Sequence, residues 1–495
     1  LCDRRQRQMC IRDSSIGDKN MTFEQMNLDK NIIQALHTLG YEKPLPVQEK
    51  VIPNILSGTD CIVKSRTGSG KTASFAIPII QNLEIDERSP QALVLTPTRE
   101  LALQIQQDFD RIGTFKKIKT LPIFGKQPFK FQKEDLKQRC HVVIGTPGRV
   151  LDHLQQQTLD PSKIKYVVLD EADEMLNMNF LDEVQAILKY MPKKHVTCLF
   201  SATYPAVIQR MSKKYLYKPA KIDLTSTNKP NILEEAYHVN EEHKELFLLH
   251  LLALKKPESC MIFCKTQARV DEVYECLEKN QVSVDKIHGG MMQEERLSHM
   301  RRFKKGKVRI LVCTDVASRG IDVFKVEMII NYDMPSPVET YTHRIGRSGR
   351  VDEQGLAISL VNEYDGVRKE KLEEYLGYNL PFKEEGEVYL SDLDVLDSLK
   401  ESNRVVVDKS KDLRKGITKI YLSGGKNKKI RPGDIVGAIC EIDGVTVDDI
   451  GVIQVQDHQS YVDILNDKGK LVLKNLKTIK GKTLRIQKAK NGFGH

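Results

Sequence analysis

The stretch Tyr166-Val167-Val168-Leu169-Asp170-Glu171-Ala172-Asp173 decides how this chain is read. Four apolar residues, β-branched in the middle, form a buried strand. Three carboxylates in the next four residues make a solvated, negative corner at its tip. Such a corner suits a divalent cation and a water to be activated, but an acidic strand-to-helix turn looks the same. A second strand tip upstream weighs against the turn. There Cys61-Ile62-Val63 runs into Ser65-Arg66-Thr67-Gly68-Ser69-Gly70-Lys71-Thr72, a glycine-bearing loop that opens a helix. Gly68 and Gly70 let backbone amides turn toward a phosphate, Lys71 supplies a cation for the β and γ phosphates, and Thr72 offers a hydroxyl to Mg2+. Ser65 stands where the strict pattern has its first glycine. With both corners present the chain reads as a nucleoside triphosphatase. Asp170 is then the Mg2+-side carboxylate, Glu171 orients or deprotonates the attacking water, and Asp173 is an internal tether.

Working outward, further short apolar runs carry chemistry at their ends. Ala92–Leu95, His141–Ile144 and Thr197–Phe200 lead into Thr98, Thr146 and Ser201. Runs alternating with helical stretches describe a parallel sheet whose ligands gather at its carboxyl edge. A second series follows Asn228-Lys229-Pro230: Met261–Cys264, Val308–Cys313, Met328–Asn331 and Leu356–Val361. Beyond Tyr378 the pattern changes. Glu384 to Asp397 is acidic and reads as a tether or surface helix. Strands Ile417–Leu422, Val452–Val455, Tyr461–Leu465 and Leu484–Gln487 then surround one helical stretch, Pro432–Asp443, the size of a ferredoxin-like RNA-binding domain.

Charge separates these regions. The 495 residues carry a formal +10. Residues 404–495 hold 19 basic against 10 acidic side chains, a net +9, and the first twenty add +2. The body from Met21 to Asn403 is therefore near neutral, at −1. A neutral core with a basic tail suits an enzyme carrying a polyanion-binding module. No apolar run is long enough to span a membrane, and the ten cysteines lack zinc-type pairing. Cys260 and Cys264, four apart in a strand, point to one face as buried thiols, which suits a reduced cytoplasmic protein. Leu1 to Ser14 has the character of adapter sequence, with Met21 as the natural start.

These features resemble the DEAD-box RNA helicases, whose name spells out residues 170–173. Gly40-Tyr41-Glu42-Lys43-Pro44-Leu45-Pro46-Val47-Gln48 resembles the family's Q motif, and Phe23 its upstream aromatic. Leu45 stands where the family has a small hydroxyl residue. The resemblance implies that Gln48 reads adenine, within an ATP site of Phe23, Lys43, Gln48, Gly68, Ser69, Gly70, Lys71, Thr72 and Ala73. Pro97-Thr98-Arg99-Glu100-Leu101-Ala102 and Thr146-Pro147-Gly148-Arg149 match two RNA-backbone motifs, with Gly125 at a glycine-doublet position whose second member is Lys126. It implies RNA contacts at Pro97, Thr98, Arg99, Gly125, Thr146, Gly148 and Arg149. Ser201-Ala202-Thr203 matches the motif coupling hydrolysis to strand separation, so Asp173, Ser201 and Thr203 become coupling residues.

In the second series, His343-Arg344-Ile345-Gly346-Arg347-Ser348-Gly349-Arg350 matches the finger motif. Arginines three apart share a helical face and can meet the γ phosphate from the opposite lobe. The resemblance assigns this to Arg347 and Arg350, with His343 linking to the first lobe. Thr314-Asp315-Val316-Ala317-Ser318-Arg319-Gly320-Ile321-Asp322 matches the motif joining the two sites, Asp322 toward the ribose and Thr314 toward RNA. Phe263-Cys264-Lys265-Thr266 and Gln293-Glu294-Glu295-Arg296 match RNA-side motifs, implying contacts from Thr266 and Arg296. The tail resembles the RNA-binding domain of the DbpA subfamily, whose members act on large-subunit ribosomal RNA. Its basic loop offers Lys426, Lys428, Lys429 and Arg431. Tyr421 and Tyr461 are its only tyrosines, so recognition is expected to rest on basic loops and RNA shape.

The expected architecture is α/β: two tandem RecA-like parallel-sheet lobes (21–225 and 232–380), a linker (381–412) and a small α+β RRM-like domain (413–491), after a leader at 1–20. Catalysis falls to Lys71, Asp170, Glu171, Arg347 and Arg350, with ATP, and with Mg2+ held by Thr72 and Asp170. The expected activity is local unwinding of short RNA duplexes during large-subunit ribosome assembly in the cytoplasm. No membrane role and no oligomer are implied. An ATP-switched RNA clamp and a translocating DNA helicase are the alternatives; adenine reading by Gln48 and Asp173 in place of histidine count against the latter.

Overall fold

The computed structural model describes residues 21–65, 69–224, 232–315, 326–349, 354–389, 397, 399–402 and 416–489. Three sheets organise them. The first is seven-stranded, in the order β3-β4-β2-β5-β6-β1-β7, all pairs parallel. It comprises β1 (Cys61–Lys64), β2 (Ala92–Leu95), β3 (Thr120–Ile123), β4 (Val142–Gly145), β5 (Tyr166–Leu169), β6 (Val196–Ser201) and β7 (Ala220–Asp223). Side chains alternate between two apolar cores. Val94 and Val168 enter one with Phe75 and Phe109. Leu93, Leu95 and Val167 enter the other with Val150 and Ile187. Both faces are covered by helices, so the central strands are buried throughout, as a parallel sheet requires.

The second sheet has six parallel strands in the order β10-β11-β9-β12-β13-β8. These are β8 (Ile232–His238), β9 (Cys260–Cys264), β10 (Val284–Ile287), β11 (Ile310–Thr314), β12 (Met328–Asn331) and β13 (Gly355–Val361). Cys260 and Cys264 do share one core face, and burial raises both thiols well above their ordinary range. The linker expected at 381–412 packs here where it is described. Val388 and Leu399 are fully buried in this lobe's core, and Phe382 stacks on His238 at 4.0 Å.

The third sheet is antiparallel, in the order β15-β16-β14-β19, from β14 (Thr418–Leu422), β15 (Ile450–Val455), β16 (Ser460–Ile464) and β19 (Ile486–Lys488). A small hairpin, β17 (Thr478–Ile479) and β18 (Lys482–Thr483), precedes the last strand. Two helices cover one face, Pro432–Cys440 and a second that the sequence reading lacked, Gly469–Asn475. That helix begins against β14: a Cβ on Gly469 would lie 2.1 Å from Thr418. Lys117 and Lys119, just before β3, donate to the carbonyls of Val447 and Ile453, joining this domain to the first lobe. Among the described residues no helix is long and apolar enough to cross a membrane.

Candidate active site and nucleic-acid interface

Lys71 opens the helix Lys71–Asn82 at the tip of β1. Its ammonium is buried and has no hydrogen-bond partner among the described residues. A buried ammonium that makes no hydrogen bond is costly even beside carboxylates, so this position is prepared for an acceptor from outside. Gly70 before it has φ +86°, and a Cβ there would meet Leu45 Cδ1 at 2.7 Å and Gln48 Nε2 at 2.8 Å. Only glycine fits such a site. Gln48 is fully buried; its Oε1 accepts from Leu45 N (2.9 Å) and its Nε2 donates to Gly70 O (3.3 Å). The glutamine is thus tied to the phosphate loop itself. Phe23 lies in the core, edge-on to Tyr41 at 6.4 Å, while Lys43 is exposed. Ser69 donates to Ser65 Oγ at 3.4 Å, Thr72 is half-buried and Ala73 buried. Gly68, Asp322 and Arg350 lie outside the described residues, as does the leader 1–20.

The acidic corner follows β5. Asp170 is buried, and burial pushes its carboxyl up to about 6; Lys71 pulls it down, while Glu171 and Asp173 push it further. Glu171 adopts the left-handed conformation (φ 53°, ψ 53°), an unfavourable backbone for a non-glycine residue, and caps the helix Ala172–Asn177. Asp173 turns away toward the end of β6. Its Oδ2 accepts from Ala202 N (3.1 Å), Thr203 N (2.7 Å) and Thr203 Oγ1 (2.9 Å), and its own N–H donates to Ser201 Oγ (3.2 Å). The carboxylate has taken the amides of that turn as its partners.

The second lobe closes the corner. One cavity is lined by Lys71, Glu171, Asp173 and Glu174 from the first lobe and by His343, Arg344 and Arg347 from the second. His343 Nδ1 meets the buried Glu174 carboxylate at 2.8 Å across the cleft. The finger motif departs from its expected geometry. Its helix spans Thr340–Ile345 and stops at Gly346, so Arg347 lies beyond it rather than on a shared helical face. Past the helix end the chain is tied to the sheet, where the Ser348 hydroxyl donates to the carbonyls of Val326 and Glu327. Arg344, the other arginine of the run, is fully buried and grips Asp315 with two hydrogen bonds of 2.6 and 2.7 Å.

On the adjoining surface Thr98 caps the helix Arg99–Ile112, with Pro97 buried beside it. Burial lowers the Arg99 guanidinium, Glu100 opposes this, and the positive charges of Arg296 and Arg149 lower it further, so three arginines from both lobes share this surface. Arg296 pairs with Glu100 at 2.8 Å, and Gln293 donates to the same carboxylate at 3.0 Å. Arg149 donates to Gln127 O and Gln132 Oε1, both at 2.9 Å. Thr146 precedes the helix Pro147–Gln155, and a Cβ added to Gly125 or Gly148 would meet no neighbouring group within 4 Å. Thr266 caps the helix Gln267–Lys279, and Thr314 ends β11, mostly buried. In the third domain Lys426, Lys428, Lys429 and Arg431 are all exposed. Tyr421 and Tyr461 are directly opposed across β14 and β16, ring centroids 5.7 Å apart, with Gln454 and Gln487 extending the same cross-strand row.

Comparison with known proteins agrees with this arrangement. Family models match as DEAD/DEAH box helicase over residues 45–211, helicase conserved C-terminal domain over 243–352 and DbpA RNA binding domain over 419–488. The ATP-dependent RNA helicase DbpA of Bacillus subtilis is 46% identical over 474 residues, covering 94% of this chain and 99% of that protein. This chain is a DEAD-box RNA helicase of the DbpA type. The DEAD-box helicase CshA of Geobacillus kaustophilus is 41% identical over 69% of this chain and 73% of its own. Saccharomyces cerevisiae Dbp5 bound to RNA and ADP BeF3 superposes with a TM-score of 0.68 at 29% identity, over 77% of this chain and all of that one. As a DEAD-box helicase the chain is an RNA-stimulated ATPase with an RNA-binding tail.

Some residues of this DEAD-box site escaped the sequence reading. Glu174 directly follows the acidic quartet, yet nothing in its spacing points to His343. Glu100 was visible only as a letter in an RNA-side motif, and its partners Gln293 and Arg296 lie in the other lobe. Arg344 and Asp315 sit inside quoted motifs, but their pairing depends on how β11 and the finger helix meet.

Proposed function

We propose that this helicase unwinds short RNA duplexes locally, in the cytoplasm, while its tail holds large-subunit ribosomal RNA during ribosome assembly. The reading rests on one observation: the Lys71 ammonium, which makes no hydrogen bond among the described residues, Glu171 and Arg347 line a single cavity built from both lobes. In this reading Lys71 binds the β and γ phosphates and Glu171 orients the attacking water. Arg347 and Arg350 stabilise charge on the γ phosphate in the transition state. Phe23, Lys43, Gln48, Gly68, Ser69, Gly70, Ala73 and Asp322 hold the rest of the nucleotide. Asp173, through Ser201 and Thr203, and His343, through Glu174, make the site respond to lobe closure.

Mg2+ fits this chemistry. Among the described residues no group of three or more His, Cys, Asp or Glu side chains could hold a metal alone. A buried Asp170 beside the Lys71 ammonium and the Thr72 hydroxyl suits a divalent cation that accompanies a phosphate ligand. Thr72 and Asp170 would hold it, and when bound it neutralises phosphate charge.

RNA is assigned to Pro97, Thr98, Arg99, Gly125, Thr146, Gly148 and Arg149 on the first lobe and to Thr266, Arg296 and Thr314 on the second. These groups grip backbone and not base edges, so the core does not select sequence. Selection falls to Lys426, Lys428, Lys429 and Arg431 and to the Tyr421–Tyr461 pair. The proposed units are 21–225, 232–380, a linker at 381–412 and 413–491, after a leader at 1–20.

ATP turnover measured with RNA, with DNA and with neither tests the core: RNA alone should drive it, and equal turnover on DNA would sink the reading. Crosslinking the full chain to total RNA tests the tail, with adducts expected to peak on large-subunit ribosomal RNA. An even spread over RNA classes would defeat that target. An ATP-switched clamp is the second reading, favoured by the interlobe pairs Glu100–Arg296 and Glu174–His343.

A further inference from the structure

A polar network inside the second lobe has no part in the site so far. Lys244 is a lysine with no exposed surface. Its ammonium donates to Tyr332 O at 3.0 Å, pairs with Glu241 at 3.0 Å and reaches Asp333 Oδ1 at 3.5 Å. Arg269 pairs with the other oxygen of Glu241 at 2.5 Å. Burying this much charge is costly even when it is paired, so such a network is weak as a source of stability and better suited to fixing a geometry.

Asp333 is where the network meets the cleft. Its Oδ2 accepts from the backbone N–H of Lys265 at 2.8 Å, in the turn that precedes Thr266. Its own N–H donates to Phe263 O, and its carbonyl accepts from Arg344 Nη1 at 2.8 Å. Arg344 in turn lies over the Phe263 ring at 5.1 Å and grips Asp315, next to Thr314. One residue therefore contacts the RNA-side turn, the finger helix and the buried ammonium, each through a different atom.

We infer that Asp333 is a positioning residue for RNA: its carboxylate fixes the Lys265–Thr266 turn, and Lys244 and Arg344 fix Asp333. The turn's loop would otherwise sample orientations in which Thr266 misses the RNA backbone, so the defect on removing Asp333 falls on RNA affinity. The inference rests on the assignment of Thr266 to RNA.

The test uses the full chain, with ATPase rate measured against RNA concentration and thermal unfolding measured in parallel. Asp333→Ala removes the acceptor and should raise half-saturating RNA about tenfold, the worth of one well-placed hydrogen bond, with the rate at saturating RNA within about twofold. Asp333→Asn keeps an acceptor for the Lys265 amide while losing charge beside Lys244. It should unfold at lower temperature yet hold half-saturating RNA within about threefold of the parent. Equal half-saturation for the two variants overturns the inference, because a purely structural role tracks stability. If Asp333→Ala does not fold, Asp333→Ser replaces it, its hydroxyl too short to reach the amide. Thr266→Ala separates this inference from its premise. A rise there without one for Asp333→Ala removes the inference alone, and no rise in either removes the RNA assignment of the turn too. A rise for Asp333→Ala alone also overturns the inference, because Asp333 would then act on RNA by a route other than Thr266.

Discussion

The two lobes carry parallel sheets of similar build but differ in how their buried cations are partnered. In the first, Lys71 is buried without a hydrogen-bond partner, and Asp170 sits in surroundings that push its carboxyl up to about 6. In the second, the fully buried Arg344 and Lys244 are each held by carboxylates and carbonyls. A buried cation without a hydrogen bond is tolerated where a ligand completes it; a fully hydrogen-bonded one holds a geometry. The first lobe is thus prepared to receive ATP, and the second is stiffened to deliver groups to it.

Breaking the receiving side should have the largest effect. Glu171→Gln is expected to cut RNA-stimulated turnover about a hundredfold or more, the usual worth of a group acting on the attacking water, while RNA retention with ATP persists. Full hydrolysis by this variant would remove Glu171 from its role. On the delivering side, Arg344→Lys replaces a two-pronged grip on Asp315 by a point charge and should destabilise the second lobe by about 3 kcal/mol. Chemical denaturation of the full chain with a probe in that lobe measures this; an unchanged midpoint would mean that the pair does not brace the finger segment.

The smallest effect sharpens the contrast within the first lobe. His153 is fully buried, between Thr158 Oγ1 (2.7 Å) and Gln132 Oε1 (3.1 Å), and stacks on Phe129 at 4.1 Å. Burial, then the charge of Arg149, hold it down at about 4, against about 6.5 in an unfolded chain. Protonation therefore favours unfolding, so this contribution is intact above pH 6.5 and is lost as the pH falls toward 4, at up to about 1.4 kcal/mol per pH unit. His153→Gln should flatten the acid side of the stability profile between pH 6.5 and 5. An unchanged slope would show that other groups govern acid sensitivity there.

How much of the fold was legible followed from position in the sheets. Every strand read as an apolar run in the two lobes lies inside its sheet. The four that escaped, β3, β7, β8 and β10, are the four edges. An edge strand is buried on fewer sides, so its sequence mixes polar residues: Val284-Asp285-Lys286-Ile287 has no run to detect, and β3 even holds Pro122. The helix Gly469–Asn475 escaped because seven residues starting with glycine carry little helical period.

The site divides along the same line. Lys71, Asp170 and Glu171 could be read from local order, because a phosphate loop and an acidic strand tip act through backbone and side chains that are close in sequence. Their motif letters fixed the family without any coordinates. The tertiary structure alone decided which groups meet. Glu174 faces His343, Glu100 faces Arg296, Arg347 leaves its helix to reach the cavity, and Asp333 joins the RNA-side turn to the finger helix. The pairings across the lobes join segments far apart in the chain, set by strand order and lobe closure, and such distances leave no period or spacing in the sequence.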